Sequence, residues 1–176
     1  MDKNQFSEFY DQNINKVFRF IYLRVDTAET AQDLTSLVFL KFWQKQEFVI
    51  AKQQQKAEQS FEISNPKAFL YRIARNQIID FYRQKNKKPL SLENLEELAD
   101  FQTAKPTFAQ QIELNLEMER IKKALQNINP LYADIIIWRY VDEMPNKEIA
   151  QILKKKEGNV RVILHRALES LKKQLN

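Results

Sequence analysis

The side chains with chemistry to offer are basic and aromatic, and they gather in two places. Asn65 to Arg83 carries Tyr71, Arg72, Arg75, Asn76, Tyr82 and Arg83, and Lys154 to Arg166 carries Lys154, Lys155, Lys156, Asn159, Arg161, His165 and Arg166. A guanidinium fork matches phosphate oxygens and an aromatic face accepts any base, so arginine interleaved with tyrosine suits phosphate contact and stacking of unpaired bases. A solvated helix whose tyrosines lie along a domain rim would carry the same residues. Catalysis has little to work with. His165 is the only histidine, with no acidic or cysteine partner at a useful spacing, which argues against a triad or a histidine metal site. Glu93, Glu96 and Glu97 could bind a divalent ion, but three acids in a connector also simply keep it solvated. No metal and no cofactor is expected.

Charge distribution sharpens this. The total is 28 Lys plus Arg against 23 Asp plus Glu, but residues 65–90 hold 7 basic and 1 acidic, 91–119 hold 1 and 7, and 120–176 hold 12 and 6. Two basic blocks flanking an acidic connector favour a polyanionic partner.

The scaffold that must position these groups is all-α. Strand-rich folds and phosphate-cradling loops use glycine at turns and close approaches, and this 176-residue chain has one, Gly158. With 44% hydrophobic residues it can bury a core as one large domain or two small ones. The absence of cysteine fits a reducing compartment. Met1 to Tyr10 is too polar for a secretory signal, and no apolar run approaches the ~20 residues needed to cross a bilayer. A cytoplasmic protein without direct membrane insertion is expected.

Phe6, Phe9, Tyr10, Ile14, Val17, Phe18 and Ile21 recur at helical spacing, predicting a first helix from about Asn4 to Arg24. Asp26 or Thr27 caps a second that runs to about Lys45. Its middle is more apolar than one core stripe requires, which leaves two readings: a helix buried on several sides, or one that also meets another protein. Residues 46–64 read as a loop or a loosely formed helix. Asn65 and Pro66 then cap and open a third helix, whose core face is Leu70, Ile73, Ala74, Ile78 and Phe81, with Tyr71 on its outer surface. From Lys85 to about Thr107 the pattern weakens into a linker. Four helices follow, at Ile112–Ile128, Pro130–Tyr140, Asn146–Leu153 and Glu157–Lys173. In the last pair, Val160, Leu164, Ala167, Leu168 and Leu171 point inward while Asn159, Arg161, Val162, His165 and Arg166 point outward. That is the pattern of a helix-turn-helix, though helical hairpins with a basic tail share it.

Here the residues match a family. Pro66, Ala68, Phe69, Leu70, Ile73, Ala74, Asn76, Asp80 and Arg83 closely resemble the promoter-melting helix of bacterial extracytoplasmic-function sigma factors of the sigma-70 family. Ala31 to Trp43 is similar to that family's polymerase-binding helix. Glu148-Ile149-Ala150, Glu157 to Val160 and Leu164 to Ala167 are similar to its C-terminal helix-turn-helix. The three matches follow the family's order.

The resemblance implies two small helical domains: residues 1–84 for polymerase clamp binding and melting of the downstream promoter element, an acidic linker over 85–110, and a helix-turn-helix domain over 111–176. It implies a non-catalytic subunit that binds core RNA polymerase and directs promoter recognition, with phosphodiester chemistry left to the polymerase. Asp33, Leu34, Leu37, Val38, Phe39 and Trp43 fall at the polymerase-docking positions, although not all six can face outward and Leu34 and Val38 suit a core. Phe69, Arg72, Arg75, Asn76 and Arg83 fall on the single-strand contacts. Lys154, Lys155, Lys156, Gly158, Asn159, Arg161, His165 and Arg166 fall on the duplex reader. An anti-sigma factor is a further partner that many relatives have.

This chain departs from the family at the turn before the reader, where Lys154, Lys155 and Lys156 stand for the usual glycine, small apolar residue and serine. A weaker or differently shaped turn is expected. Ser36 replaces a usual glutamine, and Asn159 a usual threonine. The rival readings are a helix-turn-helix regulator that does not bind polymerase and a protein–protein adaptor.

Overall fold

Asp2 starts the first helix reciprocally with Gln5. Its carboxylate accepts from the Gln5 amide at 2.9 Å, and the Gln5 side chain accepts from the Asp2 amide at 3.0 Å. The computed structural model describes residues 2–55, 64–85 and 108–176. Helix α1 covers Lys3–Tyr22 and buries Val17, Phe20 and Ile21 completely. The chain turns through Leu23 to Thr27, where the Thr27 hydroxyl accepts from the Thr30 amide at 3.1 Å and opens α2, Ala28–Gln55. This helix passes Lys45 by ten residues, so the first part of the 46–64 segment, which reads from sequence as a loop or a loosely formed helix, is helical. Helix α3, Pro66–Lys85, begins as its sequence predicts, with Asn65 accepting from the Ala68 amide at 2.8 Å.

After the connector come α4, Phe108–Asn127, starting four residues before the predicted Ile112, and α5, Pro130–Ile136. Asn129 caps α5 through the Leu131 amide, and Pro130 supplies a first residue that needs no donor. Helix α5 continues as a π-helical turn, Ile137–Val141. Helices α6, Asn146–Leu153, and α7, Glu157–Leu175, complete the described residues, which contain no strand. The acidic run Glu93, Glu96, Glu97 and Asp100 lies outside them, as do residues 56–63 of the 46–64 segment.

The two helical units share a buried seam. Trp138, fully buried, stacks on Phe20 at 5.4 Å between centroids and meets the edge of Tyr71 at 6.1 Å. Tyr71 is therefore core, which corrects its assignment to the outer surface of α3. Its hydroxyl reaches Asp142 Oδ2 at 2.9 Å across the seam. Lys122 of α4 is also buried there, donating to the Asp26 carbonyl at 3.0 Å with its ammonium 4.0 Å from the centre of the Tyr22 ring. Burial holds its pKa below that of an ordinary lysine.

Candidate nucleic-acid interface

Helix α3 divides its polar side chains between two faces. Phe69, Ile73, Asn76 and Gln77 look toward α2 and, with Lys41, Gln44 and Lys45, line an open cleft of about 570 Å³. Lys41 donates to Gln77 at 2.8 Å across it, Asn76 is exposed, and the Arg72 guanidinium stands 5.6 Å from the Phe69 ring centre. Cations, amides and one aromatic ring around an open space can take a base and its phosphate. Of the residues read from sequence as single-strand contacts, this face collects Phe69 and Asn76, with Arg72 beside them. Lys41, Gln44, Lys45 and Gln77 were missed. Their signal was available: Lys41, Gln44 and Lys45 lie at helical spacing on α2, the helix that packs against α3.

Arg75 lies on the other face. Its Nε donates to Asp134 Oδ2 of α5 at 2.9 Å, and Arg24 of the α1–α2 corner brings its own Nε to 3.2 Å from Asp134 Oδ1. Burial pushes the Asp134 carboxyl above the usual carboxylate range, and the two arginines pull it back. Asp142 is likewise raised by burial and held down by Tyr71 and Arg19, whose guanidinium is 3.1 Å away. Arg75 is thus occupied at the seam and is not part of an open single-strand surface. Arg83, near the end of α3, is exposed and lies 3.9 Å from Asp80.

On α2 the six docking candidates separate as well. Val38 is wholly buried, Phe39 packs edge-on against Tyr10 at 4.7 Å, and Leu34 is buried, so Phe39 joins Leu34 and Val38 in the core. Trp43 is half-buried against Phe6 at 4.6 Å. Asp33 and Leu37 are exposed, and Leu40, absent from the candidate set, is 52% exposed. Leu37 and Leu40, three residues apart, form with Asp33 an apolar stripe with an acidic end.

At the other end of the chain α7 presents Asn159, Arg161, Val162, His165 and Arg166 to solvent, while Val160 and Ala167 are buried. Leu168, expected inside, is 38% exposed. Arg161 pairs with Glu157 at 2.8 Å along the helix, and His165 lies 3.8 Å from Glu169. The lysine turn keeps the geometry of a glycine turn: Lys154 takes a left-handed conformation (φ 53°), the Lys155 amide donates to the Ala150 carbonyl at 2.9 Å, and the Lys154 amide to Gln151 at 3.4 Å. Lys156 precedes α7 with no side-chain cap. Gly158, exposed in the first turn, has nothing within 4 Å of where a Cβ would stand.

Two helical units in this order, an apolar stripe on the first and a basic helix-turn-helix on the second, coincide with two matches to family models. Sigma-70 region 2 matches residues 9–88 and Sigma-70 region 4 matches residues 118–171. The chain belongs to the sigma-70 family. Within it the chain falls in the extracytoplasmic-function group. It is similar to the ECF RNA polymerase sigma factors SigW of Bacillus subtilis, 26% identical over 99% of this chain and 90% of that protein, and BldN of Streptomyces coelicolor, 25% identical over 99% of this chain. The chain spans 61% of the length of BldN. Its fold is similar to that of the sigma factor RpoE solved with the anti-sigma factor NepR from Bartonella quintana (TM-score 0.68, 20% identity, 97% of this chain and 96% of that one). It is also similar to that of CnrH solved with the cytosolic domain of CnrY (TM-score 0.64, 16% identity, 99% and 89%). The region 2 match thus spans most of α1 and all of α2 and α3, and the region 4 match spans α6 and most of α7, the helix-turn-helix pair.

Proposed function

We propose that this sigma factor docks on core RNA polymerase through Asp33, Leu37 and Leu40 of α2, with Trp43 at the margin, and directs it to promoters. The two domains are divided at the connector between Lys85, where α3 ends, and Phe108, where α4 begins, in place of the 85–110 bounds read from the sequence. Region 4 reads the upstream promoter element as duplex, Arg161 and Arg166 reaching base edges or phosphates and Lys154, Lys155 and Lys156 holding the backbone. Region 2 holds the opened downstream element in the α2–α3 cleft, with Phe69, Arg72 and Asn76 around an unstacked base. The chain has no reaction of its own, and bond formation stays with the polymerase. It acts in the cytoplasm; no helix among the described residues is long and apolar enough to cross a membrane.

The observation that carries this reading is the pairing of an uncovered apolar stripe on region 2 with an uncovered basic face on region 4 in one chain. The relatives' names give RNA polymerase as their partner, and the RpoE structure contains an anti-sigma factor, which makes a protein of that kind a candidate regulator here. Run-off transcription with core polymerase and a promoter library tests it. Specific start sites that depend on the chain are expected, and their absence with folded protein would leave a duplex-binding regulator or an adaptor.

A further inference from the structure

Val162 does not match the face it stands on. It is 51% exposed on α7, on the far side of the helix from the buried Val160 and Ala167. Arg161 flanks it on one side and Asn159 and Arg166 on the other, all of them exposed. Stability gives no reason for an apolar side chain there. Val162 takes no part in the core, and a β-branched residue is a poorer helix former than the lysine, glutamate or glutamine that would serve a solvated position. Leu168, the other exposed apolar side chain of α7, is one turn from Leu164 and Leu171 of the packed stripe and so has a structural reason.

The surroundings of Val162 leave it open. A helical side chain leans over the turn before its own, and the residue one turn before Val162 is Gly158, with nothing within 4 Å of where a Cβ would stand. The Arg161 guanidinium is drawn along its own row to Glu157 at 2.8 Å, and His165 lies 3.8 Å from Glu169. Two stiffly held methyl groups thus stand clear between cations, near the start of the second helix of a helix-turn-helix, the part that enters a major groove. The apolar group that base edges offer in that groove is the C5 methyl of thymine. A purine presents N7 instead, and a valine would take its water away without replacing the hydrogen bond.

We infer that Val162 is a specificity-determining residue of the duplex contact, selecting thymine at one position of the upstream promoter element through its 5-methyl group. The inference deepens the sigma reading and rests on it. Lys154, Lys155 and Lys156 attract phosphate whatever the sequence, whereas Val162 adds preference without adding charge. Arg166 follows Val162 by four residues, about 6 Å along the helix, so the selected thymine lies about two base-pair steps from the base or phosphate that Arg166 takes.

Deoxyuridine tests this directly, because it lacks only that methyl and pairs with adenine as thymine does. Run-off transcription by the chain with core polymerase on a promoter library supplies the promoters. Duplex fragments of one of them, with each thymine of the upstream element replaced singly by deoxyuridine, then compete with the labelled parent fragment for the same complex. Replacement at one position is expected to weaken competition about three- to fivefold, the worth of one buried methyl group. Val162→Ser should make the two forms of that fragment compete equally, and Val162→Ile, which keeps an apolar contact, should restore the difference. Methyl dependence at no thymine would overturn the inference, and so would a dependence of the same size in Val162→Ser, since another group would then meet the methyl. Both outcomes leave the sigma reading intact, because specific start sites have been obtained. A chain that gives no specific start with core polymerase would remove the sigma reading and the inference with it.

Discussion

Arg75 Nε donates to Asp134 Oδ2 at 2.9 Å, joining α3 to α5 across 59 residues of chain. The carboxylate is nearly inaccessible and serves Arg24 as well, whereas the Arg75 side chain keeps a third of its exposure. The two partners should therefore respond unequally to truncation. Asp134→Ala leaves Arg24 buried without its counter-charge and is expected to cost about 3–5 kcal/mol, limited by how far the units can part to solvate it. Arg75→Ala leaves Asp134 with Arg24 and should cost about 1 kcal/mol. Urea denaturation of both variants checks the ranking, and equal losses would show that Arg24 gains little from Asp134.

Helix α2 separates stability from docking. Phe39 is buried against Tyr10, and Phe39→Ala should cost about 3–5 kcal/mol through the cavity it leaves. Leu37→Asp with Leu40→Asp changes exposed positions and should stay within about 0.5 kcal/mol per site, yet abolish co-purification with core polymerase. If the Leu37 and Leu40 variant still binds polymerase, the stripe is not the docking surface.

The contrast between Phe39 and Leu40 shows where the sequence was readable. Caps and starts were legible because they depend on neighbours in the chain: Asn65 with Pro66, Pro130, and the α6 bounds Asn146–Leu153 stand as their residues predict. The end of α2 was not, since Gln53, Gln54 and Gln55 lack apolar anchors but are good helix formers that an existing helix can extend through. Which faces are covered depends on the seam, and no periodicity in α3 announces that Tyr71 and Arg75 would meet Asp142 and Asp134. The outward set of α7 was legible because the helix-turn-helix packs through one stripe, while Leu168 sits at its margin.

Lys154 holds a left-handed conformation that costs a residue with a Cβ about 1–2 kcal/mol. Both turn hydrogen bonds, from Lys155 to Ala150 and from Lys154 to Gln151, are nonetheless made. Lys154→Gly should keep them, relieve the strain and stabilise the fold by about 1 kcal/mol after the greater freedom of glycine in the unfolded chain is counted. A higher urea midpoint at unchanged slope is the expected result. No change would mean that the lysine adopts this backbone without strain.

Asp134 and Asp142 set a pH dependence opposite to that of an ordinary ion-paired carboxylate. Burial raises both pKa values above those of the unfolded chain, so the folded state binds protons more readily in the interval between. Their contribution to stability is fully present below the unfolded value, about 3.9 for aspartate, and is lost as pH rises through the raised folded values. The stability of the parent minus that of Asp134→Asn with Asp142→Asn should therefore grow as pH is lowered from neutrality. A difference that shrinks on acidification would reverse the balance between burial and the arginines.

Gly158 occupies the first turn of α7, in a helix that otherwise contains no glycine, and a methyl group there would touch nothing within 4 Å. Fold geometry therefore gives no reason for the missing side chain. Gly158→Ala should stabilise α7 by up to about 1 kcal/mol, less if the first turn frays. A close phosphate at the helix N-terminus supplies a reason that the free protein does not, because a Cβ would stand between the strand and the free amides of the first turn. The expected outcome is a higher melting temperature together with weaker binding of duplex promoter DNA in a gel-shift titration. Unchanged binding with the same gain in stability would place the phosphate elsewhere on the helix and leave Gly158 without a role at the interface.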